Sequence, residues 1–345
     1  MKKVLALALI GLMSVGLLAG CGSSGGGDAA PAASAGGEAA SAPAEASGDG
    51  PLILVSTPKA VTGWTAAVTY YAEKYLEENG INGSVTAAES TNDQANNIDD
   101  MLSQNPDAIV LLPINDELAT AAQTVEDAGV TLVNFDRTLG SVTPDYYYAG
   151  DNPGCGKKGA EWMQQQFGDE EFTVVLLTVT GWGSIAEQRV EGFKEELANL
   201  CPNATILNGG EAYGSETASQ EDGLKLMTDV LGANEQIDAV FLVDDEQAVG
   251  ALQAIDEQGR DDIKDLYAAG GGATVFLNKI PASSFPIATC SYYPTMIQSA
   301  IQIAVDVATG AAEHEATTIE DPVIIDSTNV DTWKTSIGYD ENAPY

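Results

Sequence analysis

The stretch TLVNFDRTLG, residues 131–140, sets a carboxylate and a guanidinium side by side at the end of an apolar run. Asp136 offers acceptor oxygens and Arg137 a rigid fork of N–H donors, a pairing suited to a ligand covered in hydroxyl groups. A surface ion pair, worth about 0–1 kcal/mol, is the plain alternative. Three other residues stand just after apolar runs in the same way. Asp244 follows AVFLV, Trp182 lies in TVTGWG, and Trp64 follows the first run in STPKAVTGW. A carboxylate or guanidinium taken out of water and left unpaired costs about 1–3 kcal/mol or more, so such a site would be choosy about hydroxyl geometry. Aromatic rings would cover the apolar C–H faces of such a ligand. The bland readings are an N-cap for Asp244, core packing for Trp64 and loop packing for Trp182.

These residues need elements to position them. Short apolar, β-branched runs read as strands at 52–56, 84–88, 108–113, 130–135, 172–180, 204–209, 239–244 and 286–291. Between them, apolar residues at spacings of three and four predict helices over 63–80, 115–129, 184–200 and 245–259, with Asn115 as an N-cap and Gly80 and Gly129 as stops. Alternating strand and helix predicts an α/β fold with mostly parallel sheets, apolar on both faces because helices cover both. The expectation is two similar doubly wound lobes, about four units before residue 150 and four after. Ligands of open parallel sheets sit beyond the carboxyl ends of the strands, where Asp136, Arg137, Trp182 and Asp244 stand.

Composition narrows the classes. Met1-Lys2-Lys3 followed by VLALALIGLMSVGLLAG predicts a secretory leader over 1–20. The leader ends in LAGC, which resembles a bacterial lipobox and implies cleavage before Cys21 and lipidation there. Residues 22–50 hold only Gly, Ala, Ser, Pro, Asp and Glu, so 21–50 is expected to be a flexible, lipid-anchored tether. The chain carries 14 Lys+Arg against 51 Asp+Glu, net −37, and losing Lys2 and Lys3 takes it to about −39. Such a surface repels nucleic acid. Cys155, Cys201 and Cys290 allow three disulfide pairings among which sequence cannot choose. His314, in GAAEHEAT, reads as a solvated surface residue. No Ser-His or Cys-His pairing and no transition-metal ligand cluster is present, and AGDNPGCGKKG misses the phosphate-loop spacing by one residue with Lys158 where Ser or Thr belongs. Neither an enzyme nor a cofactor is expected.

Four segments in order, NPDAIVLLP, VNFDRT, SIAEQRVEGF and VFLVDDEQAVGALQAI, resemble the sugar-binding lipoproteins and periplasmic proteins of ABC importers, of the ribose/galactose type. The resemblance covers nearly all of 51–325. It implies a type I periplasmic-binding-protein fold, in which two lobes are joined by a three-stranded hinge and close on a monosaccharide. The first lobe would be 51–150 plus about 293–321, the second 151–292 plus about 322–345, with crossings near Gly150–Asp151, Ser291–Pro294 and Pro322. By this resemblance Trp64 covers one sugar face, Asp136 and Arg137 hold hydroxyls, Arg189 is the second-lobe arginine and Tyr213 a second-lobe aromatic. Two departures stand out. Gly271 offers no carboxylate where the family usually has one, and Tyr292 precedes the hinge proline where some members have Gln. The implied partners are a sugar, a membrane permease and the lipid anchor. The protein is expected to act as a monomer on the extracytoplasmic face of a bacterial membrane. The alternative is a sugar or furanosyl-signal receptor feeding a sensor kinase or chemoreceptor.

Overall fold

The computed structural model describes residues 50–61 and 63–345. The leader, Cys21 and the tether up to residue 49 lie outside the described residues.

The first half runs β1 (Ile53–Pro58), α1 (Gly63–Glu78), β2 (Gly83–Ala88), α2 (Thr91–Leu102), β3 (Ala108–Leu111), α3 (Ala119–Asp127), β4 (Thr131–Phe135) and β5 (Tyr146–Gly150). Next come α4 (Asn152–Phe167), β6 (Phe172–Val179), α5 (Ser184–Leu200), β7 (Ala204–Ile206), β8 (Tyr213–Ser215) and α6 (Gln220–Ala233). Then follow β9 (Ala239–Leu242), α7 (Asp245–Gln258), β10 (Asp265–Ala268), α8 (Thr274–Leu277) and β11 (Ile287–Cys290). The last elements are α9 (Met296–Thr309), β12 (Thr317–Glu320), β13 (Ile324–Ile325) and α10 (Val330–Ser336).

Two α/β lobes result, each built on its own sheet. The first sheet has the order β12-β5-β4-β3-β1-β2, with every pair parallel. The second has the order β13-β11-β10-β9-β6-β7, with β8 also on β6 and only β13 antiparallel. Period-two alternation divides the first sheet between two layers of helix. Leu54, Ile109, Leu111 and Leu132 cluster with Ile98, Met101 and Val125 of α2 and α3. Ile53, Val55, Val110 and Val133 cluster with Val68 and Tyr71 of α1 and Ile297 of α9. Each such side chain, fully buried, contributes about 1.5–3 kcal/mol. That gain on both faces is why the strands read as unbroken apolar runs.

Elements invisible to apolar spacing are held by other means. The polar helix α2 is capped by Ser90, which accepts from the Asp93 amide. Asn115 does cap as expected, accepting from the Glu117 amide, but of a single 3-10 turn that precedes α3. The glycine-rich stretch after residue 150 is the start of α4, where Asp151 accepts from the Gly154 amide and Pro153 fills the first turn. Its glycines serve packing. A Cβ on Gly156 would stand 2.0 Å from the Arg189 carbonyl oxygen, and one on Gly192 2.3 Å from that of Pro153. Helices α4 and α5 therefore touch backbone to backbone, which fixes where Arg189 on α5 must stand.

The chain passes between the sheets three times: from β5 into α4, from β11 through 291–295 into α9, and from β12 to β13. These passages are bonded to one another. The Asp151 amide donates to Glu320 O at 3.2 Å and the Ser291 amide to Val323 O at 2.9 Å. Ser291 Oγ accepts from the Val323 amide, and the Tyr148 hydroxyl donates to Glu320.

Two open questions from the sequence are answered here. Cys155, Cys201 and Cys290 are buried free thiols, so no pairing forms among them. His314 is not simply solvated: it is half-buried, with Nε2 2.9 Å from Asp306 Oδ2 of α9. The loop after α9 folds back and brings it there.

Gly156→Ala forces α4 and α5 apart and is expected to cost about 1–3 kcal/mol. Urea denaturation should show a lower midpoint with an unchanged slope; an unchanged midpoint would contradict the contact.

Candidate functional site

A cavity of about 860 Å³ lies between the two sheets. Its walls include Trp64, Asp136, Arg137 and Tyr147 from the first, and Asn152, Trp182, Arg189 and Asp244 from the second, with Tyr292 of the middle passage between them. Strand carboxyl ends deliver most of these, as parallel-sheet architecture requires.

Asp136 ends β4 in the left-handed region at φ 64°, unusual for a residue with a side chain. Its amide donates to Tyr148 O at 2.9 Å, and its carbonyl accepts from the Tyr147 hydroxyl at 2.7 Å. The Asn134 side chain ties off the same turn by donating to Arg137 O at 2.7 Å. The turn is thus held against its own strain by three bonds, which aims the carboxylate into the cleft. There Oδ1 accepts from the Tyr292 hydroxyl at 2.5 Å, while Oδ2 has no hydrogen-bond partner among the described residues.

The guanidinium of Arg137 donates through Nη1 to Pro113 O at 3.2 Å and Ile114 O at 2.9 Å. That acceptor segment is itself pinned by buried Gln94, which donates to Leu112 O and accepts from the Ile114 amide. One arm of Arg137 is therefore fixed, and Nε and Nη2 remain unspent. Arg189, only 4 % exposed, is held more firmly still. Nε donates to Asn152 Oδ1 at 2.9 Å, and Nη1 donates to Val243 O at 2.9 Å and Ala269 O at 2.5 Å. Its plane lies over the Tyr292 ring at 5.1 Å and the Trp182 ring at 5.8 Å. Nη2 is unspent.

Asp244 has both roles that its position in the sequence allows. It caps α7, Oδ1 accepting from the Gln247 amide at 2.9 Å, and it also lines the cavity with Oδ2 unspent. Its neighbour Asp245 faces inward instead, accepting from the Gly272 and Ala273 amides and the Thr289 hydroxyl. Trp64 stacks parallel on Phe135 at 5.9 Å and donates Nε1–H to Tyr292 O at 2.8 Å.

Tyr213 is placed apart from the other candidates. It sits on β8, its hydroxyl accepting from the Asn234 side chain at 3.3 Å, and it does not line this cavity. The β6–β8 pairing puts it on the sheet's far edge. Gly271 carries no side chain for a reason visible in the packing: at φ 109°, a Cβ there would be 2.7 Å from Tyr292 O. Sequence reasoning missed Asn152, Tyr147 and Tyr345. The strand-end rule would have found Asn152 had β5 been recognised; nothing local marks Tyr345.

Burial pushes the carboxyl groups of this region up. Asp244 rises from its ordinary 3.8 to about 7, through burial and then the adjacent Asp245 charge. Asp245 rises to about 6 through burial, and Asp136 is raised by burial against the pull of its Tyr292 hydrogen bond. A carboxyl with a raised folded value binds its proton more tightly folded than unfolded. Its stabilisation is therefore complete below pH 4 and is lost as pH climbs toward 7. Asp262 and Asp340, held below the ordinary range by Arg260 and Lys74, act with the opposite sign but only below pH 4. Urea titrations should thus show stability falling between pH 4.5 and 7.5, and Asp244→Asn should flatten the fall by about 1–2 kcal/mol. An identical slope in the variant would refute the assignment.

Comparison with known proteins matches this geometry. The family described as periplasmic binding protein domain matches residues 53–312. The chain is 26% identical over 191 residues to the ribose import binding protein of Bacillus subtilis, covering 55% of this chain and 60% of that one. It is 29% identical over 218 residues to a galactofuranose-binding protein of Escherichia coli, covering 59% and 65% respectively. The matched segments thus span less than two thirds of these relatives. An ABC transporter periplasmic solute binding protein from Actinobacillus succinogenes, solved with bound D-allose, superposes with a TM-score of 0.69 at 21% identity, over 82% of this chain and 99% of that one. At that identity the likeness speaks for the fold. With two parallel-sheet lobes, three crossings and a family match over most of its length, the chain belongs to the periplasmic binding protein domain family and has its two-lobed type I fold.

Proposed function

We propose that the chain is the solute-binding component of an ABC importer, exported and lipid-anchored at Cys21, which captures a neutral monosaccharide by closing its lobes on it. The lobes would be 51–150 with about 293–321 and 151–292 with about 322–345, hinged at the three bonded passages. One observation carries the reading. Charged groups from both sheets face one cavity, each with part of its hydrogen-bonding capacity spent on holding it still and part left over. The remainder, Oδ2 of Asp136 and Asp244 with Nε and Nη2 of Arg137 and Nη2 of Arg189, is a mixed set of acceptors and donors. Hydroxyl groups, which both donate and accept, satisfy such a set; an apolar ligand would leave it unpaired at about 1–3 kcal/mol per group.

Trp64 and Trp182 would cover the C–H faces, and Tyr292 would stand at the hinge end. The cavity is lined by four carboxyl groups, those of Asp116, Asp136, Asp244 and Glu246, and two guanidinium groups, a balance that favours a neutral ligand over an anion even with Asp244 partly protonated near pH 7. The names of the relatives, ribose import and galactofuranose binding, support the same ligand class. Binding that bridges the lobes would draw them together because the closed form presents both half-sites at once. No catalytic role is proposed.

A thermal-shift screen of D-ribose, L-arabinose, D-xylose, D-galactose, D-allose and myo-inositol tests this. At a hundred times its dissociation constant a ligand stabilises by about 2.7 kcal/mol, several degrees for a chain of this size. Arg137→Ala should abolish the shift, and a shift of full size in that variant would remove Arg137 from the site. The anchor has a separate check. Labelled palmitate fed to expressing bacteria should enter the native chain and not Cys21→Ala, and equal labelling would sink the lipoprotein assignment.

A further inference from the structure

Residues 337–345 follow α10, which packs beside the second sheet's loops, yet they run back across α1 of the first lobe. Pro344 O accepts from the Gly63 amide at 2.7 Å, at the very start of α1. The Asp340 carboxylate accepts from the Tyr70 hydroxyl at 2.8 Å and from Lys74 Nζ at 2.5 Å, and the Asp340 amide donates to the Tyr71 hydroxyl at 3.1 Å. The same short segment grips the other lobe. The Tyr339 hydroxyl shares a 2.8 Å bond with Thr274 Oγ1, and the Tyr345 hydroxyl donates to Gly270 O at 2.9 Å. Tyr293, from the middle passage, packs against Tyr71, Tyr339 and Tyr345 at once, with ring centroids 5.7, 6.1 and 5.9 Å away. Tyr345 ends up 9% exposed and forms part of the cavity wall beside Gly63, Gly270 and Tyr292.

We propose that Tyr345 is a size-selecting wall of the binding cavity, and that residues 337–345 are a strap, fastened to α1 by the Asp340–Lys74 pair, that positions it. The proposal rests on the reading of the cavity as a monosaccharide site. A tyrosine ring in a segment without helix or strand would ordinarily swing aside for a larger ligand. This one is fastened on both sides. Its hydroxyl is bonded to Gly270, the residue before it is bonded to Gly63, and five residues upstream three side chains of α1 hold Asp340. A ligand extended at the Gly270 end would have to break those bonds, whereas one that stops short of the ring gains an apolar face. Asp340 and Lys74 line no part of the cavity and act only through the strap.

The test is calorimetric titration of the full mature chain with D-ribose, D-galactose and the methyl glycosides of each, read as the ratio of glycoside affinity to parent affinity. Tyr345→Ala should weaken the better parent sugar at least tenfold and raise the ratio at least tenfold. Tyr345→Phe, which keeps the ring, should leave the ratio within about twofold. Asp340→Asn should raise the ratio severalfold although its side chain is outside the cavity. Weakened binding with an unchanged ratio in Tyr345→Ala, or an unaltered ratio in Asp340→Asn, overturns the proposal. Hydrogen exchange of the sugar-free chain reads the strap independently. The Gly63 amide should be protected in the native chain and lose protection at least tenfold in Asp340→Asn while the amides of β3 and β9 keep theirs. An unprotected Gly63 amide in the native chain overturns the strap whatever binds. If native chain with a protected Gly63 binds none of the four probes and none of the six ligands of the thermal-shift screen, the monosaccharide reading falls, and Tyr345's selecting role with it, while the strap stands.

Discussion

Tyr292 joins the parts of the site to one another. Its hydroxyl donates to Asp136 of the first lobe, its ring lies under Arg189 of the second, and its carbonyl accepts from Trp64. It can do so because it sits in a passage between the sheets, four per cent exposed, where the backbone belongs to neither sheet. The neighbouring glycines make room for it. A Cβ on Gly150 would lie 2.4 Å from its ring, and one on Gly271 would strike its carbonyl. Two positions that look unremarkable as residues are therefore fixed by Tyr292, one by its ring and one by its backbone.

The second constraint is that charge taken out of water must be held. A buried guanidinium or carboxylate without partners costs several kcal/mol, so the two arginines and Asp244 are each tied to backbone, and Asp136 to the Tyr292 hydroxyl. Arg189 is tied to Val243 and Ala269, Arg137 to Pro113 and Ile114, and Asp244 to the first turn of α7. These bonds position the groups and leave them partly unsatisfied. Under the proposed function, an arrangement of that kind would recognise hydroxyls without needing to reorganise, which would lower the cost of binding.

Much of the fold was legible. Strands buried on both faces and helices with apolar stripes leave periodicities of two and three to four, and the strands and helices read from them sit close to those ranges in the structure. Elements whose stability comes from somewhere else were not legible. α2 is polar and depends on the Ser90 cap, α4 is rich in glycines that a packed neighbour requires, β10 holds no β-branched residue, β12 is mostly exposed and β13 is two residues long. The site was partly legible for the same reason. Strand ends point into the cleft, so Asp136, Arg137, Trp182 and Asp244 could be picked out, while Asn152 followed a strand that had no clear pattern. Tyr213, taken from a resemblance alone, stands at an edge that strand pairing chose.

By itself, the sequence determined that this chain would form two parallel α/β halves with acids, arginines and tryptophans at the strand ends, because burial on both faces and the placement of polar residues at chain turns are local demands. Only the tertiary structure decided which of those groups meet. Whether Tyr292 reaches Asp136, whether His314 finds Asp306, and whether Tyr345 returns to the cavity depend on bonds between residues 8 to 281 positions apart in the chain, and no local pattern of residues encodes a contact that loop closure and packing must select.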